Sequence, residues 1–157
     1  MEMISNEEKI TQAVLVSVDT GDYDAEASLV ELKELVKSAG AEPVFTVTQN
    51  LKRPETGTYV GTGKLQEIAD ICKQQEIDLL VFDCELSPTQ IRNIEAETDT
   101  RTIDRTMLIL DIFALRARSK EGKLQVELAQ LKYLMPRLTG KGVAMSRLGG
   151  GIGTRGP

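Results

Sequence analysis

In Tyr59-Val-Gly-Thr-Gly-Lys64 a lysine follows two closely spaced glycines, an arrangement that lets backbone amides and an ammonium hold a phosphate. The spacing stops short of a nucleoside-triphosphate loop. G-x-x-x-x-G-K-[ST] demands a glycine where Thr58 stands and a magnesium-binding hydroxyl where Leu65 stands. A weaker candidate survives: Gly61 and Gly63 turn the backbone into a helix whose free amides can hold an anion, with Lys64 beside them. A second G-x-G-x-x-G, at Gly151, Gly153 and Gly156, follows no strand and reads as chance composition in a tail rich in Gly, Arg and Ser. There is no histidine anywhere, so neither a Ser-His or Cys-His nucleophile nor a histidine metal site can be built. Cys72 and Cys84 lack partners for a metal set and read as reduced, partly buried thiols. No spaced pair of acids offers a general acid and base. The chain is not expected to be an enzyme by itself, and no cofactor or metal site is expected in it.

Elements that would position these residues alternate regularly. Ala13 to Val18 is an apolar, β-branched strand ending in Asp19-Thr-Gly-Asp turn chemistry. Asp24 opens a helix to Ser38, with Leu29, Leu32 and Val36 on one face and Gly40 past its end. Pro43 to Thr48 is a second strand, Asn50 to Thr58 a loop, Gly63 to Gln75 a helix and Asp78 to Asp83 a strand. Ser87-Pro88 opens a helix to Thr98, and Arg101 to Asp104 is a last short strand. This alternation predicts an α/β fold: a small four-stranded parallel sheet with flanking helices, order 2-1-3-4. Ligands of such sheets bind at the carboxyl ends of the strands, where Asp19 and Asp83 fall. Two aspartates there are like the acidic site of receiver domains, but that site needs a further acid and a lysine after a fifth strand, and no fifth strand is found. Capping of turns is the simpler role.

Thr106 to about Met135 reads as one helix. Met107 to Leu115 is apolar nearly all round, as in a helix covered on several faces. Beyond Arg116 a single stripe remains, Leu124, Leu128, Leu131 and Met135, at helical spacing. Thirty residues at ~1.5 Å each make a rod of about 45 Å, longer than so small a domain can cover. The domain reading is therefore 1–105 for the α/β part, 106–138 for a long projecting helix and 139–157 for a Gly-rich basic tail or hairpin loop.

Charge is unevenly distributed. Residues 1–100 carry 8 basic and 20 acidic side chains, a balance of −12, and residues 101–157 carry 11 basic and 4 acidic, a balance of +7. From Lys132 onward there is no acid, against Lys132, Arg137, Lys141, Arg147 and Arg155. An acidic body with a basic arm suits a polyanion at the arm while the body avoids loose nucleic-acid adhesion. A solvated helix face with a basic tail is the competing reading. Thr139 to Pro157 holds no aromatic, so backbone approach and phosphate contacts, rather than base stacking, are what the arm can offer. No apolar run approaches the ~18 residues needed to span a bilayer and Met1 to Ile10 has no signal-like region, so a cytoplasmic location is expected.

The run IDRTMLILDIFALRARSKEGKLQVELAQLKYLMPRL, Ile103 to Leu138, followed by GGIGTRGP at Gly150 to Pro157, closely resembles the N-terminal region of HflX-type GTPases. Tyr59-Val-Gly-Thr-Gly-Lys64 and Glu85-Leu-Ser-Pro88 fit the same family, so the resemblance extends from about Thr58 onward. It implies a bacterial, ribosome-associated GTP-binding protein that engages the large ribosomal subunit and its rRNA and helps split stalled ribosomes. GTP and Mg2+ would belong to a GTPase domain that follows this region in the family. The resemblance places the tip of the arm toward the peptidyl transferase centre, with Arg137, Lys141, Arg147 and Arg155 positioning it and Gly149, Gly150 and Gly151 allowing close approach. It further implies that the Gly-rich segment is the turn of a helical hairpin, whose second helix would cover Leu124, Leu128, Leu131 and Met135. Covering four such side chains is worth roughly 6 to 12 kcal/mol. Without that helix, the expectation is pairing with a second molecule as a homodimer, or fraying beyond Gly122. The alternative reading is a receiver-like domain that binds a small ligand or nucleotide through the Gly61 to Lys64 turn.

Overall fold

A computed structural model describes residues 9–138. Four strands, β1 (Thr11–Asp19), β2 (Ala41–Asn50), β3 (Leu79–Phe82) and β4 (Arg101–Asp104), form one parallel sheet in the order β2-β1-β3-β4. Among the described residues, helices α1 (Ala25–Ser38), α2 (Thr62–Gln74), α3 (Pro88–Thr98), α4 (Arg105–Arg116) and α5 (Lys120–Leu134) accompany the sheet, and a 3-10 turn follows at Met135–Arg137. Architecture and strand order are those the sequence predicts.

Both faces of the sheet are covered, which is why its inner strands are buried from Ala13 to Val18 and from Leu79 to Phe82 and are mostly apolar there. Leu15, Val81 and Ile103 meet Leu32 and Val36 of α1 and Leu108 and Ile112 of α4. On the opposite face Val16, Leu80 and Phe82 meet Leu65 and Ile68 of α2 and Ile91 and Ile94 of α3. Caps fix where the helices begin. Ala27 N donates to Asp24 Oδ1 at 3.0 Å, and Ser87 and Gln90 exchange a reciprocal pair, Gln90 N to Ser87 Oγ at 3.1 Å and Ser87 N to Gln90 Oε1 at 2.9 Å. Pro88 occupies the first helical position, where a missing amide hydrogen costs nothing.

One expectation is corrected. The helix predicted to run unbroken from Thr106 to Met135 is two helices, separated at Ala117, Arg118 and Ser119. Ala117 is extended at φ −67°, ψ 132°, and Ser119 Oγ accepts from Gly122 N at 2.9 Å, a fresh N-cap. The last turn of α5 comes back to the first residue before α4, since Tyr133 Oη donates to Asp104 Oδ2 at 2.7 Å. The two helices therefore run antiparallel, and there is no 45 Å rod among the described residues. Gly122, expected inside a helix, lies in the first turn of one. No helix of the described residues is long and apolar enough to cross a membrane.

Candidate functional site

The carboxyl edge of the sheet gathers most of the polar chemistry. Asp83 follows β3 with its side chain 1% exposed, and its Oδ1 takes Arg105 Nη1 at 2.5 Å. Arg105, the first residue of α4, also reaches Ser28 Oγ at 3.2 Å and pairs with Glu31 on α1. Asp19 turns its carboxylate back onto Gly21 N at 2.9 Å. The two aspartates singled out in the sequence are thus occupied, one by an arginine and the other by its own turn. A receiver-like acidic pair is not the arrangement found.

Asp104 is fully buried and accepts three hydrogen bonds. Met107 N donates to Oδ1 at 2.9 Å, capping α4, while Leu86 N at 2.9 Å and Tyr133 Oη at 2.7 Å both donate to Oδ2. Burial, then the bond to Asp104 and its charge, push the Tyr133 hydroxyl well above the ordinary tyrosine range, so it stays a donor. Arg137 completes the cluster: Nε donates to Leu86 O at 3.1 Å, Nη1 to Tyr133 O at 2.9 Å, and its guanidinium lies 3.7 Å from the centre of the Tyr133 ring. Arg137 was expected to face RNA. Here it faces the body.

The Gly61 to Lys64 turn opens α2, as expected, but Gly61 and Lys64 each have a local occupation. Gly61 N donates to Gln49 Oε1 at 2.9 Å, so its amide is spent. A Cβ at Gly61 would come within 3.2 Å of Gln49 Nε2, so close approach of the β2 side chain accounts for this glycine. At Gly63 a Cβ would meet nothing within 4 Å, and Lys64 Nζ reaches Glu67 Oε1 at 3.3 Å on the surface. Just before the turn, Tyr59 sits in the left-handed region at φ 68°, with its ring edge-on to Phe82 and Val60 buried beneath. Burial drives the Cys84 thiol upward, and burial does the same to Tyr59, whose hydroxyl pairs with Cys84. Cys72 is buried and its thiol is also pushed up by burial. Neither sulfur has the character of a nucleophile.

Leu124, Leu128 and Leu131 on α5 and Met135 just past its end are 64%, 54%, 53% and 62% exposed. Val126, Gln130, Tyr133 and Leu134 take the half-buried side instead. Lys141, Arg147, Gly149, Gly150, Gly151 and Arg155 lie outside the described residues. Sequence reasoning missed the roles of Asp104, Arg105 and Tyr133. Asp104, three residues before Met107, carries an N-cap signal that was available; the pairings of Arg105 and Tyr133 across the fold left no local trace.

Comparison with known proteins gives this arrangement its class. The family described as "GTP-binding GTPase N-terminal" matches residues 26–114, and the one described as "GTP-binding GTPase Middle Region" matches 116–157. The two matches meet at the end of α4, where the structure breaks the helix. GTPase HflX of Lacrimispora saccharolytica is 55% identical over 157 residues, 99% of this chain and 37% of the relative. GTPase HflX of Alkalihalophilus pseudofirmus is 54% identical over 150 residues, 94% of this chain and 36% of the relative. In structure, a GTP-binding protein from the archaeon Sulfolobus solfataricus in complex with GDP superposes with a TM-score of 0.62 at 29% identity, over 88% of this chain and 40% of that one. The chain belongs to the HflX family of GTPases and corresponds to its N-terminal region. It spans little more than a third of the length of these curated relatives.

Proposed function

We propose that this chain is the ribosome-engaging part of an HflX-type GTPase, acting on the large subunit through its rRNA in the splitting or rescue of stalled ribosomes. In this reading GTP, Mg2+ and hydrolysis belong to the remaining length of the relatives, and residues 1–157 contribute recognition. The observation that carries it is the separation of charge: −12 over residues 1–100 against an acid-free run from Lys132 onward with five bases. An acidic body resists indiscriminate contact with RNA, and a basic extension supplies phosphate contacts that release counterions. Lys141, Arg147 and Arg155 are the proposed contacts, with Gly149, Gly150 and Gly151 permitting close backbone approach. Arg137 is left out of that set because its guanidinium is held by Leu86 and Tyr133.

The test is co-sedimentation of the 157-residue chain with purified large subunits over a series of salt concentrations. Binding that weakens linearly in log–log form supports the reading. Binding that ignores salt, or none at low salt, removes it.

A further inference from the structure

We infer that Tyr133 and Arg137 form a latch that holds the end of α5 on the α/β body, making Arg137 a positioning residue for the basic segment that follows in sequence and not a phosphate ligand. The inference rests on the proposed reading of that segment.

The geometry is unusually concentrated for the end of a helix that buries no residue of its own. A helix held so lightly by apolar contact is easily released, so its attachment falls to a few directed bonds. Those bonds go to Leu86, between β3 and α3, and to Asp104, at the end of β4. Leu86 donates its amide to Asp104 Oδ2 and accepts Arg137 Nε on its carbonyl, so the residue that receives Arg137 is itself bonded to the one that receives Tyr133. Tyr133 Oη shares the same Asp104 oxygen, and the Arg137 guanidinium closes over the tyrosine ring at 3.7 Å. Releasing Tyr133 removes a donor from a carboxylate with no exposed surface, so withdrawal is opposed by chemistry specific to this pair. Pro136 limits the backbone between them, and Leu138 is extended at φ −69°, ψ 134°. Without the latch, α5 can pivot about the non-helical link at Ala117 to Ser119, and its end at Leu134 would not be held in one place.

Charge and geometry can be separated by substitution. Arg137→Lys keeps the charge but cannot make the planar, two-donor contact over a ring. Arg137→Gln removes the charge, and Tyr133→Phe removes only the bond to Asp104. Binding of each chain to large subunits is measured across a salt series, and amide hydrogen exchange is measured on the free chains. Faster exchange across α5 and at the Leu86 amide is expected in all three variants. Affinity should fall about threefold to tenfold in each, with the salt slope unchanged and no rescue by lysine. A phosphate ligand behaves differently: Arg137→Gln would flatten the slope by about 0.7 to 0.9 and Arg137→Lys would restore binding, and that result overturns the inference. Exchange identical to the unmutated chain overturns the latch whatever the subunits do. Failure of the unmutated chain to bind, by contrast, removes the ribosomal reading on which the inference rests.

Discussion

Arg105 Nη1 lies 2.5 Å from Oδ1 of Asp83, and that carboxylate has almost no contact with water. The pair joins the end of β3 to the start of α4, while Glu31 and Ser28 tie the same guanidinium to α1. Removing one partner of a buried pair leaves a charge without compensation, which costs about 3 to 5 kcal/mol. Arg105→Ala should therefore lower the stability of the chain by about 3 kcal/mol in urea unfolding. Asp83→Asn leaves Arg105 its contacts to α1 and should cost markedly less. Equal losses would show that the arginine is not a response to the buried carboxylate.

The break between α4 and α5 makes an unusual prediction about a glycine. In a continuous helix Gly122→Ala would stabilise the protein by about 1 kcal/mol. Here a Cβ at Gly122 would lie 2.9 Å from Ser119 Oγ, the atom that caps α5. The substitution should gain little, because displacing that cap costs about 1 kcal/mol. In a Ser119→Ala background the conflict is gone and Gly122→Ala should recover most of the helical gain. A full gain in the unmodified chain would favour the unbroken rod.

How legible the sequence was differs sharply between the two halves. Strands and the first three helices announced themselves through apolar runs such as Ala13 to Val18 and caps such as Asp24 and Ser87-Pro88, because local chemistry and tertiary packing agree there. Around Ala117 they part. Ala, Arg and Lys are good helix formers, so propensity carried the helix through a link where Ala117 is extended and Ser119 starts afresh. Ser119 three residues ahead of Gly122 was the available signal. The body-facing role of Arg137 was hidden for another reason: its partners, Leu86 and the ring of Tyr133, are brought to it by folding, and charge pattern alone cannot distinguish an arginine spent on its own chain from one offered to RNA.

Guanine nucleotide is not expected to bind tightly to residues 1–157. The Gly61 amide is donated to Gln49, Lys64 is paired on the surface with Glu67, and Leu65 has no hydroxyl for a metal. Calorimetry with GTP and Mg2+ should show no micromolar heat of binding. A micromolar or tighter affinity would place a nucleotide site in this region after all.

Leu124, Leu128 and Leu131 on α5, with Met135 just past its end, form an exposed apolar stripe. Sedimentation of the chain at high concentration should reveal self-association, and Leu128→Asp with Leu131→Asp should return it to a monomer. Because both leucines are about half exposed, the double variant should unfold within about 1 kcal/mol of the unmutated chain. A monomer at high concentration, with α5 ordered and its stripe in water, would contradict this pairing.

The proposed contact is between the acid-free segment and the phosphates of the large subunit. Its most direct measurement is the salt slope of binding after Lys141, Arg147 and Arg155 are each replaced by glutamine and then all three together. Every lost phosphate contact should reduce the log–log slope by about 0.7 to 0.9, so the triple variant should bind weakly and lose about 2 or more from the slope. An unchanged affinity and slope in the triple variant would contradict the claim and place the contact elsewhere on the protein.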